Sequence, residues 1–218
     1  MKYLFCADGL AAAALAGTVR SFSMSHAFPD RVVLDVGCGT MPYRSMFIAR
    51  GARYVGADID GTPDILIDAE GTLPLADESV DVVVSFQVLE HVRNVPAYLS
   101  MIRRVLRKDG RMFLSTHGVW PYHPHPTDFW RWTQDGLRLT LEDAGFRVHK
   151  ITALCGPAAW IPMFPLLACK KILGPIWFLL APVNLCVNLL AWAADCLTPA
   201  GLRDTNAAIF AVELSRAP

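Results

Sequence analysis

Short apolar runs alternate with helix-like segments along the first half of the chain, and three of the four runs carry an aspartate at or next to their end. The runs occupy residues 32–36, 54–58, 65–68 and 80–86, and helices are predicted at 43–50 and 96–106. The run at 80–86 is almost entirely apolar, as expected for a central strand that is buried on both faces. Alternating strands and helices predict a parallel sheet with right-handed crossovers.

The second half contains three further strand-like runs, at 111–115, 146–153 and 206–215. Thr133 is placed to cap a helix that ends before Gly145, and an alanine-rich helix is predicted at 8–24. Residues 1–218 are expected to form a single domain, because this length suffices for one full α/β core. The segment 155–205 is then an apolar helical insertion between the sixth and seventh strands.

The insertion is unusually apolar, since the 23 residues from Ile172 to Ala194 carry no charge. That length can cross a bilayer, but the seventh strand must return to the sheet, so any crossing would have to be paired as a hairpin. Lys170 and Lys171 would then lie on the far side of the membrane, against the preference of basic residues for the cytoplasmic side. We therefore expect in-plane or re-entrant helices that dock the protein on the inner membrane face. A buried cap, a homodimer face and a true transmembrane hairpin are the alternatives. Three tryptophans suit an interfacial position: Trp160, Trp177 and Trp192.

Composition narrows the function classes. Twenty basic and twenty acidic residues cancel, so no charge argument favours nucleic acid as a partner. Six cysteines without C-x-x-C pairing favour reduced thiols over disulfides or a zinc site, which indicates a cytoplasmic setting. The alanine-rich stretch 11–16 resembles part of a signal peptide, but Asp8 interrupts it, and a cytosolic first helix is expected instead.

The most informative motif is the glycine loop that follows the first strand, Asp35-Val-Gly37-Cys38-Gly39. Glycines allow the backbone to approach a ligand closely, and such a loop also opens dinucleotide-binding units. Dinucleotide-binding units continue this loop to a third glycine, whereas here Met41 and Pro42 follow, so the dinucleotide-binding pattern is not met. The next strand ends in Asp58, 19 residues after Gly39, where an α/β nucleoside site places a carboxylate on ribose hydroxyls.

A third strand ending in Asp68 and a fourth leading into Gln87-Val-Leu-Glu90-His91 complete the pattern. With these four strand ends in order, residues 31–154 resemble the class I S-adenosylmethionine-dependent methyltransferases, in particular the bacterial type 11 group. The resemblance implies a Rossmann-like α/β fold: a seven-stranded, mostly parallel sheet with helices on both faces. Its last strand would run antiparallel between the fifth and sixth strands. The implied cofactor is S-adenosylmethionine.

The resemblance also assigns the cofactor site. The glycine loop would pass under the methionine tail and ribose, with Asp35 ordering the loop or bonding the amino group. Asp58 is the ribose candidate, ahead of Asp60, because an acceptor-only carboxylate suits two adjacent hydroxyl donors. Without the glycine loop before them, Asp58 and Asp68 would be interpreted as solvated carboxylates at strand ends. Asp68 and Ala69 are predicted at the adenine, and Phe86 and Gln87 at the methionine end. The other predicted cofactor residues are Asp35, Gly37, Cys38, Gly39, Asp58 and Ile59.

Residues 117–133 form a loop rich in histidine and tryptophan beyond the fifth strand, where an acceptor must sit if the cofactor occupies the first four strand ends. His125 is predicted as a base or acceptor ligand, with His123 as a second catalytic candidate. Similar proteins carry a comparable segment, which implies that Asp128 orients His125 or accepts a substrate hydroxyl. The predicted acceptor contacts are Arg131, Trp120 and Trp130.

Each of these assignments has an alternative. Asp128 and Arg131 can instead hold the loop's own backbone, and the tryptophans can pack in the core. A metal site formed by the loop histidines is not favoured, because prolines separate them, and no metal is predicted. His91, which follows Glu90, is expected to shape the start of the next helix rather than to act as a base.

The predicted function is S-adenosylmethionine-dependent methylation of oxygen, ahead of nitrogen or carbon, on a small-molecule, glycan or lipid-linked acceptor at the membrane surface. Two rivals remain at this point. One is a membrane-associated binding protein that keeps the cofactor pocket without catalysis. The other is a nucleotide-cofactor dehydrogenase, against which the missing third glycine argues.

Overall fold

The computed structural model describes residues 5–68 and 71–218, and this part of the chain forms one seven-stranded sheet in the order β3-β2-β1-β4-β5-β7-β6. The first five strands pair in parallel, whereas β7 is antiparallel to both neighbours, β5 and β6. The predicted fold class is therefore confirmed. The strands are β1 (Val32–Val36), β2 (Arg53–Asp58), β3 (Ile65–Leu66), β4 (Val80–Phe86), β5 (Leu106–His117), β6 (Phe146–Leu154) and β7 (Ile209–Arg216).

Helices cover both faces of the sheet. One core cluster takes side chains from α1 (Gly9–His26) and α2 (Arg44–Ile48), and the other from α3 (Val95–Val105) and α4 (Gln134–Asp143). The start of α4 is set by its cap, because the Thr133 hydroxyl accepts a hydrogen bond from the Gly136 N–H at 3.1 Å. Strand β4 is buried on both faces, as its almost entirely apolar sequence predicted.

Several strand boundaries differ from the sequence-based expectation, with the largest differences in β3, β5 and β7, the last of which begins at Ile209 instead of residue 206. Strand β3 has two residues instead of four, since it pairs only with the end of β2. Strand β5 begins at Leu106, directly after α3, and a register shift between Val80 and Val82 accommodates the extra residues. Strands β1, β2 and β4 end where they were predicted to end, whereas Asp68 lies two residues beyond the end of β3.

The segment between β6 and β7 is a helical insertion, as predicted. It comprises α5 (Pro157–Leu173), a 3-10 segment (Gly174–Leu180), α6 (Ala181–Leu197) and α7 (Ala200–Thr205). Helices α5 and α6 pack against each other and form a hairpin, hereafter the insertion hairpin. Within the described residues, one helical run, Pro157–Leu197, has the length and apolar composition to cross a membrane, with 17% of its most apolar window buried.

The insertion hairpin is fastened to the N-terminal part of the protein by two buried asparagines of α6. The Asn184 side chain donates to the Phe5 carbonyl at 3.1 Å, and the Asn188 side chain donates to the Cys6 carbonyl at 2.9 Å. The Cys6 carbonyl also accepts from the Gly9 N–H at 3.1 Å, so these bonds join α6 to the turn that precedes α1. The hairpin therefore sits against α1 as a fixed part of the fold.

Candidate functional site

A cavity of about 800 Å³ opens at the carboxyl ends of β1, β2 and β4. Parallel strands bring these ends to the same edge of the sheet, which is where α/β proteins bind ligands. The predicted site residues that line the cavity are Gly37, Gly39, Asp58, Ile59, Gln87, His123 and His125. The remaining predicted residues lie behind its walls or elsewhere.

The glycine loop is held rigidly against β2. The N–H groups of Gly37 and Cys38 both donate to the Ala57 carbonyl, at 2.8 and 3.2 Å. Gly37 has a φ of +76°, and a Cβ placed there would lie 2.4 Å from a methyl carbon of Val88. Gly39 also has a positive φ, but no atom lies within 4 Å of the corresponding position. Gly37 is thus required for packing, whereas Gly39 leaves one wall of the cavity open.

Met41 stands where a third glycine is expected, and the structure shows how it is tolerated. Its φ is +54°, a left-handed conformation that a glycine would adopt at lower cost. Its side chain lies against Gly56, where an added Cβ would come within 2.6 Å of the Met41 methyl carbon. The missing side chain of Gly56 therefore makes room for the extra side chain of Met41, and the loop keeps its path.

Asp35 is buried directly beneath the glycine loop and does not line the cavity. One carboxylate oxygen accepts a hydrogen bond from the Tyr54 hydroxyl, while the other has no partner among the described residues. Burial raises the pKa of Asp35 to about 7, against the opposing effect of the Tyr54 hydrogen bond. A buried carboxylate oxygen without a partner is costly, so a donor from a bound ligand fits here.

The Asp58 carboxylate lines the cavity and also holds the loop. It accepts hydrogen bonds from the N–H groups of Gly39 and Ile59, each at 2.8 Å. A carboxylate has about four acceptor positions, so two backbone donors leave capacity for ligand hydroxyls. This geometry fits the predicted ribose contact.

The other predicted cofactor residues have less direct positions. The Asp68 carboxylate accepts a hydrogen bond from the Thr72 N–H at 2.6 Å and does not line the cavity, although Ile67 does. Ala69 lies outside the described residues. Phe86 packs edge-on against Tyr43, and Cys38 is buried, which raises the pKa of its thiol to about 12. Within the described residues, Asp68, Phe86 and Cys38 therefore do not line the cavity.

The loop histidines form the opposite wall of the cavity. The rings of His123 and His125 lie 4.7 Å apart, and the ring of His91 lies 5.9 Å from His123. Burial lowers the pKa of His123, and the neighbouring histidines lower it further, which favours the neutral form that can accept a proton. Within residues 5–68 and 71–218, no group of three or more His, Cys, Asp or Glu side chains is arranged to hold a metal ion.

Glu90 anchors the histidine loop, a role that sequence reasoning missed. Its fully buried carboxylate accepts a hydrogen bond from the Thr116 hydroxyl at 2.9 Å and lies 2.8 Å from Nδ1 of His117. Burial opposes ionisation of Glu90, but the hydrogen bond from His117 and the other bonds outweigh it, and its pKa is lowered. The Glu90 carbonyl also accepts from the Phe129 N–H at 2.8 Å. An acidic residue directly after a buried strand was the available signal.

Asp128 and Arg131 hold the loop's own backbone. Both carboxylate oxygens of Asp128 accept from the Arg131 guanidinium at 2.5 Å, and one also accepts from the His123 N–H at 2.7 Å. The guanidinium further donates to the carbonyls of Trp120 and Pro121. The Arg131 side chain holds the pKa of Asp128 down at about 2. The contacts match the alternative interpretation of the pair, as loop-pinning residues.

Neither predicted tryptophan lines the cavity. Trp120 stacks on His117, with ring centroids 4.6 Å apart, and its other neighbour is Phe164 of α5. The Trp130 indole N–H donates to the Val92 carbonyl at 2.8 Å, and its ring borders a separate groove beside α3. His91 contacts the same loop, since its Nδ1 lies 2.5 Å from the Thr127 carbonyl oxygen. Trp120 and Trp130 thus lie outside the cavity, whereas His91 lines it together with His123 and His125.

Comparison with known proteins identifies a matching family. Residues 34–114 match the profile of a family described as "Methyltransferase domain". The chain is 32% identical over 143 residues to a "Probable S-adenosylmethionine-dependent methyltransferase" of Mycolicibacterium smegmatis, covering 58% of this chain and 56% of that protein. A similarly described protein of Mycobacterium tuberculosis is 35% identical over 144 residues, covering 58% and 51%. The chain thus spans about half the length of the curated relatives it matches.

Solved structures with the same fold include proteins of more than one activity. A 1,6-didemethyltoxoflavin-N1-methyltransferase of Burkholderia thailandensis, with its substrate and S-adenosylhomocysteine bound, has a TM-score of 0.59 at 14% identity, covering 94% of this chain and 79% of that one. The (4+2)-cyclase SpnF has a TM-score of 0.62 at 15% identity, covering 92% and 80%. At these identities the likeness concerns the fold.

Proposed function

We propose that this chain is a class I S-adenosylmethionine-dependent methyltransferase of the type 11 group and that it methylates a hydroxyl oxygen of a small-molecule, glycan or lipid-linked acceptor. The observation that carries the proposal is one cavity that joins two kinds of wall. One wall is the glycine loop with Asp58, and the other is the pair His123 and His125. A donor and an acceptor molecule can therefore meet in it.

The cofactor wall fits S-adenosylmethionine on this structure's own features. Asp58 has acceptor capacity for the ribose hydroxyls, and Gly39 presents no side chain to the cavity. The unpartnered oxygen of Asp35 suits a donor such as the amino group of the methionine tail, reached directly or through water. Bound there, S-adenosylmethionine supplies an electrophilic methyl group and leaves as S-adenosylhomocysteine.

The work left to the protein is to align the acceptor and to remove its proton. We assign the proton to His125 or its neighbour His123, because both line the cavity and a neutral imidazole accepts a proton near neutral pH. The loop that carries them is pinned by Glu90, Asp128 and Arg131, so the imidazoles are held without being drawn into ion pairs with these carboxylates. We favour oxygen over nitrogen as the methylated atom because a hydroxyl group must lose its proton during the transfer, and removing that proton is the task assigned to the histidine.

We further propose that the protein acts in the cytoplasm, peripherally on the inner membrane. The exposed insertion hairpin supports this location, since a large apolar surface on a soluble protein marks a partner or a membrane. A lipid-linked acceptor would be presented at the same surface. The small-molecule acceptor named for the Burkholderia thailandensis enzyme shows what one protein of this fold binds.

Calorimetry and turnover test the proposal in two stages. S-adenosylhomocysteine should bind the wild-type protein, and Asp58→Asn should weaken binding by about tenfold or more, because hydrogen bonds to charged groups are worth roughly 1.5–3 kcal/mol. His125→Ala should keep that affinity and lose labelled-methyl incorporation into lysate extracts. Absence of binding would reject the enzyme, whereas binding without incorporation into any extract would favour a non-catalytic binding protein or another reaction on this fold.

A further inference from the structure

The outer face of the insertion hairpin exposes large apolar side chains to solvent. Ile172 is 82% exposed, and Phe178 and Leu179 in the 3-10 segment are 67% and 64% exposed. Leaving such groups in water is unfavourable by roughly 25 cal/mol per Å² of apolar surface. We call this surface the hairpin face; it comprises Ile172, Ile176, Phe178, Leu179, Val183, Leu189, Leu190 and Trp192.

Charge on this part of the chain has one sign. Residues 144–194 contain no Asp or Glu, whereas the whole chain carries twenty of each sign. Lys170 and Lys171, at the end of α5, are exposed and have no ion-pair partner among the described residues. An apolar face flanked by unpaired lysines is complementary to a bilayer with anionic headgroups. A second copy of the chain would offer these lysines no carboxylate in this region.

The packing of the hairpin decides how it can meet a bilayer. In each helix one stripe faces the protein: Ala159, Met163 and Leu166 in α5, and Asn184, Asn188 and Ala191 in α6. The Asn184 and Asn188 amides are also bonded to the N-terminal segment. A helix with one face fixed to a folded domain cannot cross the hydrocarbon core, so only the outer face is free to insert. The docked structure is therefore monotopic.

The hairpin also contacts the residues directly behind the histidine wall of the cavity. Phe164 of α5 lies against Trp120, with ring centroids 6.0 Å apart, and Trp120 stacks on His117 of the histidine loop. The Trp120 carbonyl accepts a hydrogen bond from Arg131, which pins that loop. The surface that would meet the bilayer and the wall that would meet the acceptor are consequently joined by direct contacts.

We propose that the hairpin face is a docking surface for bilayers containing anionic phospholipid, and that docking places the histidine wall of the cavity at the bilayer surface to receive an amphiphilic acceptor. The second part rests on the proposed methyltransferase function, whereas the first does not. Insertion is in the plane of the interface and proceeds through the 3-10 segment. The lysines select anionic headgroups, and the apolar side chains supply the affinity.

Vesicle flotation of the full chain tests the docking surface. The wild-type protein should float with vesicles of phosphatidylcholine and phosphatidylglycerol and bind phosphatidylcholine vesicles more weakly. Phe178→Asp with Leu179→Asp should lower the partition coefficient for both vesicles by about tenfold or more. The matched control is Leu139→Asp on α4, an exposed leucine of similar accessibility (61%), which should change nothing.

The lysine pair has its own variant. Lys170→Gln with Lys171→Gln should reduce the preference for phosphatidylglycerol vesicles by about fivefold per lysine, leaving binding to phosphatidylcholine unchanged. All three variants should melt like the wild type, because every substituted side chain is exposed.

Three results would overturn the docking proposal. They are a wild-type chain that does not float, an aspartate double variant that floats like the wild type, and a wild-type dimer that the same variant converts to a monomer without any vesicle binding. Affinity for S-adenosylhomocysteine, measured without vesicles, separates this outcome from failure of the proposed function. Loss of docking leaves that affinity intact, whereas absence of the affinity rejects the methyltransferase whatever the vesicles show.

Discussion

Replacing each of the two glycines of the loop by alanine should cause a different main defect, which is lost stability at Gly37 and lost cofactor affinity at Gly39. Both have positive φ, +76° at Gly37 and +49° at Gly39, so alanine at either position costs about 1–2 kcal/mol of backbone strain. At Gly37 the new methyl group would also lie 2.4 and 2.8 Å from the two methyl carbons of Val88. Overpacking of this kind adds about 1–3 kcal/mol. The expected losses of unfolding free energy are therefore about 2–5 kcal/mol for Gly37→Ala and about 1–2 kcal/mol for Gly39→Ala.

Urea denaturation without cofactor measures these losses, and Val88→Ala tests their cause. In the Val88→Ala background, the extra cost of Gly37→Ala over Gly39→Ala should shrink markedly, because the two nearest carbons are gone and only the Cβ of residue 88, at 3.2 Å, remains. Affinity should follow the reverse order, since both glycines line the cavity but only at Gly39 would the new methyl group enter open space. Equal destabilisation by the two alanines, or no coupling between Gly37 and Val88, would refute the account of the loop.

Three further predictions follow from buried groups. Burial raises the pKa of Asp35 in the folded protein to about 7, so between about pH 4 and pH 7 the native state keeps a proton that the unfolded state releases, and stability falls as the pH rises. The advantage in unfolding free energy of Asp35→Asn over the wild type should therefore grow by up to about 4 kcal/mol in that window and then level off. Urea titrations at each pH would measure it. Glu90→Gln should lower the unfolding free energy by about 1–3 kcal/mol, measured in the same way, because the contact with His117 loses its charge; an unchanged value would exclude an anchoring role. Asp128→Asn should speed proteolytic cleavage within residues 117–132 while leaving S-adenosylhomocysteine affinity unchanged, and unchanged cleavage would show that Arg131 holds the loop alone.

Much of the fold was predictable from local pattern. An apolar run such as residues 80–86 reports a buried strand because burial on both faces excludes polar side chains. The cap at Thr133 and the early proline of α3 marked helix starts for equally local reasons. The position of β7 between β5 and β6 was accessible only through the family resemblance, since strand order depends on contacts far apart in sequence.

The candidate site divides in the same way. Asp58 and the glycine loop were found from spacing, because parallel strands always bring their carboxyl ends to one edge. The roles within the histidine loop were not, since the direction of each side chain depends on long-range partners. Glu90 became an anchor only because β5 places Thr116 and His117 beside it, and Trp120 turned towards α5 instead of the cavity.

The sequence by itself predicted an α/β fold with a nucleoside-type glycine loop and a strongly apolar insertion, because composition and short periodicities are local properties of the chain. Only the tertiary structure decided which side chains face the cavity and which hold its walls. It also decided that α5 and α6 lie against α1 with one face outward, because a helix's neighbours, and not its hydropathy, determine which of its apolar side chains remain exposed.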